Sequence, residues 1–244
     1  MQFAAPLMEA RLVRRYKRFL ADIEWPDGGK ATVHCPNPGA MLGLDAPGSR
    51  VFVSRSTNPT RKYPLTLEIV EADDTLVGVN TGRPNGLVQE AIENDVIGEL
   101  GGYRSLRREV RYGQSSRVDF LLEAPERPAC YVEVKNVHLS RRKGLVEFPD
   151  CVTARGARHL EELGAMVEAG HRAVMVFIVQ RADGARFDLA RDIDPRYAEA
   201  FSRARRRGVE AVVYACTVSV GEIRVTMPLA IAARALQPGP ASLK

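Results

Sequence analysis

The spacing of apolar residues changes character once along this chain, and that change limits the folds open to it. Up to residue 80 the apolar residues fall in short runs: "LMEARLVRRYKRFLADIEW", "KATVHCP", "SRVFVSRS", "PLTLEIVEA" and "TLVGVN". Turn signals such as "PDGG", "DAPG" and "DD" separate them. Side chains alternate along a strand, so five short runs at this spacing predict a small β-barrel. From Leu87 the period becomes helical: "LVQEAIENDVIGEL" carries one apolar face and stops at "GG". Three strands ("SLRREVRYG", "RVDFLLEA", "CYVEVKNV") follow, then a helix in "VTARGARHLEELGAMVEAG" and the buried strand "RAVMVFIVQ". A helix in "DPRYAEAFSRARRRG" and the strands "VEAVVYACTVSV" and "EIRVTMPL" complete the chain. This order predicts a mixed α/β unit. The Gly-, Pro- and Asn-rich "NTGRPNG" marks the join, giving a barrel over 1–82 and an α/β unit over 83–244.

Composition narrows the function. The longest apolar run, "AVMVFIV", is strand-sized, far short of the roughly 20 residues of a membrane helix. No basic segment followed by an apolar core opens the chain, so a cytoplasmic protein with no membrane partner is expected. Cys35, Cys130, Cys151 and Cys216 are scattered and build neither a zinc motif nor a disulfide framework. The formal charge of +5 favours a polyanionic partner without demanding one. No Gly-rich loop leads into a helix with Lys-Ser/Thr, so ATP hydrolysis is not indicated.

The chemistry concentrates in "RVDFLLEAPERPACYVEVKNVHL". The polar, proline-containing "EAPERPA" turns the chain between two strands. With the hairpin centred on Glu126, Asp119 faces Glu133, and cross-strand Cβ atoms lie roughly 5 Å apart. Glu133 and Lys135 share a face, because residues two apart on a strand do. Two adjacent carboxylates repel unless one is protonated or a cation joins them. A hard divalent ion, Mg²⁺ or Mn²⁺, suits such oxygen ligands and can activate water for attack on a phosphodiester. An Asp, then Glu-x-Lys on the next strand, behind a helix bearing an acid, resembles the PD-(D/E)xK nucleases. The resemblance assigns Asp119, Glu133 and Lys135 to catalysis, with Glu90 as the helix acid. Asp119, Glu133 and Glu90 would hold the metal. "SRVD" stands where the family's Pro-Asp pair would be.

A longer resemblance covers about Leu7 to Pro228. "CPNPGAMLGL", "STNPTRKYPLTLEIV", "VGVNTGRPNGLVQEAI", "YVEVKNVHL" and "EFPDCVTARGARHLEEL" are similar to the sugar fermentation stimulation protein A family. Pro38 stands where that resemblance leads one to expect Thr. It implies an N-terminal OB-fold, a nuclease-like C-terminal domain, and DNA binding linked to sugar metabolism. The expected function is a DNA-binding, Mg²⁺-dependent phosphodiesterase or nuclease. The alternative is a non-catalytic DNA-binding regulator of sugar (maltose) metabolism genes. Homo-oligomerisation is left open.

Basic and aromatic residues supply candidate nucleic-acid contacts. Arg14, Arg15, Lys17 and Arg18 read as a basic strand face, although such runs are usually just solvated. Asn58, Arg61, Lys62 and Tyr63 sit in a barrel loop, where OB-folds combine cations and aromatics. Arg155, Arg158 and His159 recur at helical spacing just after the Glu-x-Lys strand. Gln180 ends a buried strand aimed at the same region. Asp150 or Thr153 caps the following helix, with capping preferred over metal binding for Asp150. His34, His138 and His171 read as hydrogen-bonded structural residues.

Overall fold

A computed structural model describes residues 1–113 and 116–236. In the first part lie β1 (Met8–Tyr16), β2 (Leu20–Glu24), β3 (Lys30–His34), β4 (Arg50–Arg55), β5 (Leu65–Ala72) and β6 (Thr75–Gly78). The first long apolar run is two strands rather than one, reversed by a tight turn at Lys17 and Arg18. Both adopt the left-handed backbone, φ +51° and +64°, that matches the twist of a hairpin. A shift in pairing between Leu12 and Arg14 marks a bulge in β1, so the strand pairs β2 with one half and β4 with the other. His34 pairs with Thr66, joining β3 to β5 and closing a ring in the order β1-β2-β3-β5-β4. This is the five-stranded OB barrel. Closure removes open edges, and Leu12, Ile23, Val33, Val53 and Leu67 fill the interior.

The α/β part begins with α1 (Pro84–Glu93), whose proline pre-sets the first turn. β7 (Ser105–Tyr112), β8 (Ser116–Ala124) and β9 (Arg127–Val137) form an antiparallel meander. Next come β10 (Leu139–Arg142), β11 (Leu145–Phe148), α2 (Ala154–Glu168), β12 (Arg172–Val179) and β13 (Arg186–Leu189). Then follow α3 (Pro195–Arg206), β14 (Glu210–Val218), β15 (Ile223–Pro228), β16 (Ala230–Ile231) and α4 (Ala233–Leu236).

The main sheet runs β15-β14-β12-β9-β8-β7, with β9, β12 and β14 parallel. β12 shows why its sequence is apolar throughout. Val174, Val176 and Ile178 join the core beneath α1, whereas Met175, Phe177 and Val179 join the core beneath α2 and α3. Both faces of the central strand β12 are covered, whereas the edge strands β7 and β15 are largely exposed. A helix, three strands, a helix and a strand stand in the expected nuclease-like order. A second sheet, β10-β11-β13-β16, was not foreseen; its strands span two to four residues, too short to show a period. Among the described residues, no helix is long and apolar enough to cross a membrane.

Candidate metal-dependent active site

β8 and β9 pair Phe120 with Val132 and Leu121 with Tyr131, a register centred on Glu126. One step further along, where the β8–β9 pairing stops, Asp119 and Glu133 meet a cleft of about 410 Å³. Lys135, Asn85 of α1, and Arg155 and His159 of α2 also line it. Asn37, Pro38 and Gly39 bring the barrel to the same wall. The cleft therefore belongs to both halves of the chain.

Asp119 is held at both oxygens. Asn85 Nδ2 donates to Oδ1 at 2.8 Å, and the Val134 backbone N–H donates to Oδ2 at 2.7 Å. Burial, reinforced by the Glu133 charge, pushes the Asp119 carboxyl above its ordinary range, against the pull of those donors and Lys135. Glu133 is 3% exposed. Burial pushes it up as well, but the Lys135 charge and the His159 hydrogen bond outweigh that and hold it below the usual carboxylate range. The two neighbours thus move in opposite directions, as expected where one cation cannot satisfy both.

Glu133 is asymmetric. Oε1 accepts from Lys135 Nζ at 2.5 Å and from His159 Nδ1, while Oε2 has no partner. Arg155 Nε donates to His159 Nε2 at 3.2 Å, so that nitrogen accepts and Nδ1 carries the proton given to Glu133. A buried carboxylate oxygen with no donor is costly, and a hard cation would remove the cost. Two carboxylates with one unpartnered oxygen fit a divalent ion that keeps water or phosphate in its remaining positions. Among the described residues no three His, Cys, Asp or Glu side chains group to hold a metal, so the candidate ligands in the cleft are the two carboxylates of Asp119 and Glu133.

Beside it runs a second chain of polar groups. Gln180 Nε2 donates to Asn136 Oδ1 at 2.7 Å, and Asn136 Nδ2 lies 3.1 Å from His138 Nδ1. His138 Nε2 lies 3.2 Å from Asp150 Oδ2, which also accepts the Met41 backbone N–H of the barrel at 2.9 Å. Burial would raise the Asp150 carboxyl, but His138 and the Met41 N–H win and lower it to about 2. Gly39 passes so close to Asp150 that an added Cβ would lie 2.5 Å from Oδ2. Asp150 is therefore a joint between the halves, and the cap of α2 is Thr153, whose hydroxyl accepts from Gly156 N–H. Asn85, Asn136, His138 and Asp150 escaped the sequence reading as cleft residues, because none carries a spacing signal tying it to the Asp–Glu pair.

Several expected residues stand elsewhere. Glu90 does not line the cleft; its Oε1 takes the Met1 amino group at 2.8 Å, and the first turn of α1 delivers Asn85 instead. The helix starts three residues before its apolar pattern does, so the turn nearest the metal pair precedes Glu90. Arg14, Arg15, Lys17 and Arg18 do not form one basic face. Arg14 pairs with Asp22, Lys17 and Arg18 make the hairpin turn, and Arg15 donates to the carbonyls of Arg18, Asn37 and Gly39. Arg15 thereby shapes the barrel loop that walls the cleft. Asn58 is spent on an Asx turn with Thr60, and Lys62 lies 5.6 Å from the Tyr63 ring. Arg61 reaches His34 Nδ1 at 2.9 Å and lines a separate cavity. Arg158 is exposed and outside the cleft, and Gln180 is fully buried, acting through Asn136.

Residues 13–79 match the model of the SfsA N-terminal OB domain, and 82–222 that of the sugar fermentation stimulation protein RE domain. A sugar fermentation stimulation protein homolog of Chelativorans sp. is 61% identical over 223 residues, covering 91% of this chain and 96% of that protein. A homolog of the same description from Rhodospirillum centenum is 59% identical over 233 residues, covering 96% and 100%. A solved structure of Pyrococcus furiosus SfsA in complex with Ca²⁺ superposes with a TM-score of 0.86 at 27% identity, covering 95% of this chain and 98% of that one.

Proposed function

This chain belongs to the sugar fermentation stimulation protein family, and from that premise we propose that it is a divalent-metal-dependent phosphodiesterase acting on DNA. One observation carries the reading: buried Glu133 has one carboxylate oxygen bonded twice and the other unpartnered, in the cleft that also holds Asp119 and Lys135. The Ca²⁺ complex of the Pyrococcus furiosus relative supports a hard, oxygen-seeking cation, and Mg²⁺ shares that preference.

Asp119 and Glu133 would hold the ion, which supplies neutralisation of phosphoryl charge and a more acidic water. Asn85 and the Val134 N–H fix the Asp119 carboxylate before any ligand arrives. His159 does the same for Glu133, so neither acid has to reorganise. The Lys135 ammonium, anchored on Glu133, orients the attacking water and offsets charge developing on the phosphate. Arg155, exposed at the cleft and bonded to His159, holds a flanking phosphate.

Titration of Mg²⁺ into the protein by calorimetry should give heat that Asp119→Ala abolishes; equal heats in both would reject the metal site. Labelled DNA should be cut with Mg²⁺ or Mn²⁺, and Lys135→Ala should slow cutting by about 10²-fold or more. A salt-sensitive shift with no products would leave the non-catalytic regulator as the function.

A further inference from the structure

A second cavity of about 480 Å³ lies on the barrel side, where the β4–β5 loop faces the N-terminal segment Phe3–Ala5. Its charge is unbalanced. Arg83 is neutralised by Glu68, with contacts of 2.7 and 3.0 Å. Among the described residues the Arg61 guanidinium meets only His34, whose protonation is disfavoured by burial and by the Arg61 charge itself. Arg55 is exposed and makes no ion pair among the described residues. Two cationic guanidiniums thus face a recess with no matching acid. Phe3, half-buried and with the Arg83 guanidinium 5.2 Å from its ring centre, adds an aromatic surface.

The recess adjoins the metal cleft. Pro36, Asn80 and Arg83 line the first space, while their chain neighbours Asn37, Thr81 and Pro84 line the second. A ridge lies between them, where Thr81 donates both its N–H (3.1 Å) and its hydroxyl (2.7 Å) to the Pro36 carbonyl.

We propose that this recess is a nucleotide subsite: Arg55 and Arg61 bind a backbone phosphate of a single-stranded nucleic acid whose scissile phosphate lies across the ridge. The inference rests on the phosphodiesterase reading and adds the form of its substrate. A duplex presents phosphates on a convex cylinder and keeps its bases stacked, so it cannot fill a recess bounded by the β4–β5 loop and the Phe3–Ala5 segment. A single strand can splay one nucleotide into it, with phosphate on the guanidiniums and base on the Phe3 ring. The ridge sets a minimum length, because a strand too short to cross it reaches only one of the two spaces.

The test is fluorescence anisotropy with labelled oligothymidylates and oligouridylates of 3 and 10 nucleotides, and a 10-base-pair duplex, with Ca²⁺ in place of Mg²⁺. The parent should bind one 10-mer at least tenfold more tightly than its 3-mer, and the sugar giving the larger ratio identifies the strand. Arg55→Ala/Arg61→Ala should erase that ratio, leave duplex binding unchanged, and lower the salt slope for the 10-mer by about 1. Arg55→Lys/Arg61→Lys, which keeps the charge, should restore most of it. A length ratio that survives the alanine pair, or no ratio in the parent, overturns the subsite. Neither result touches the metal site, which stands or falls on the Asp119-dependent heat.

Discussion

Glu68 and Glu133 are the two most deeply buried glutamates among the described residues, and their surroundings could hardly differ more. Glu68, 1% exposed in the barrel, has every need met. Ser54 and Arg83 donate to Oε1, while Asn80 and Arg83 donate to Oε2, all at 2.7–3.0 Å. Glu133, in the α/β sheet, has two donors on one oxygen and none on the other. Burial of an acid is thus no sign of function by itself. A filled hydrogen-bond shell marks a joint, here between β5 and the start of α1. A shell left half empty marks a place for something that arrives later.

The sharpest way to break the contrast is to remove the acids in turn. Glu68→Ala strands a partly buried Arg83 and should cost about 3–5 kcal/mol in urea unfolding. Glu133→Gln should cost clearly less, because Lys135 keeps Asp119 as a counter-charge. Equal losses would mean that both acids are structural. Metal should separate the two even if stabilities do not. Mg²⁺ at a hundred times its dissociation constant should stabilise the parent and Glu68→Ala by about 2.7 kcal/mol, read as a shift in thermal unfolding, and Glu133→Gln by nothing.

Asp150 offers an intermediate case, an acid satisfied by partners from both halves. Its carboxyl is lowered from the ordinary 3.8 to about 2 in the folded protein, so the unfolded chain binds its proton first on acidification. The resulting stability is fully present above pH ~4 and fades as pH falls toward ~2, a loss of roughly 2 kcal/mol. Asp150→Asn should flatten urea midpoints measured across that window. At the weak end, Arg14→Ala removes an exposed partner of Asp22 and should leave the urea midpoint nearly unchanged.

Much of this was legible in advance where a local signal existed. The polar, proline-bearing turn after Ala124 set the register that places Asp119 by Glu133, and helical spacing put Arg155 and His159 together. The strand-rich first third and the αβββαβ order that follows were readable from period alone. What stayed hidden depends on contacts distant in sequence. Asp150 meets Met41 across 109 positions, and nothing in either segment announces it. Glu90 and the Lys17–Arg18 pair failed for a different reason, phase. A helix that begins early rotates its acid away from the cleft, and two left-handed residues turn a supposed basic strand into a hairpin tip.

The shared oxygen of Asp150 also bears on how this molecule can be taken apart. Because Met41 and His138 meet on that one atom, and Gly39 has no room for a side chain beside it, an engineer cannot graft the barrel onto another scaffold as a free-standing module. The corner from Phe148 to Cys151 would have to travel with it. Without that corner, the transplanted loop would lose the acceptor that sets its path.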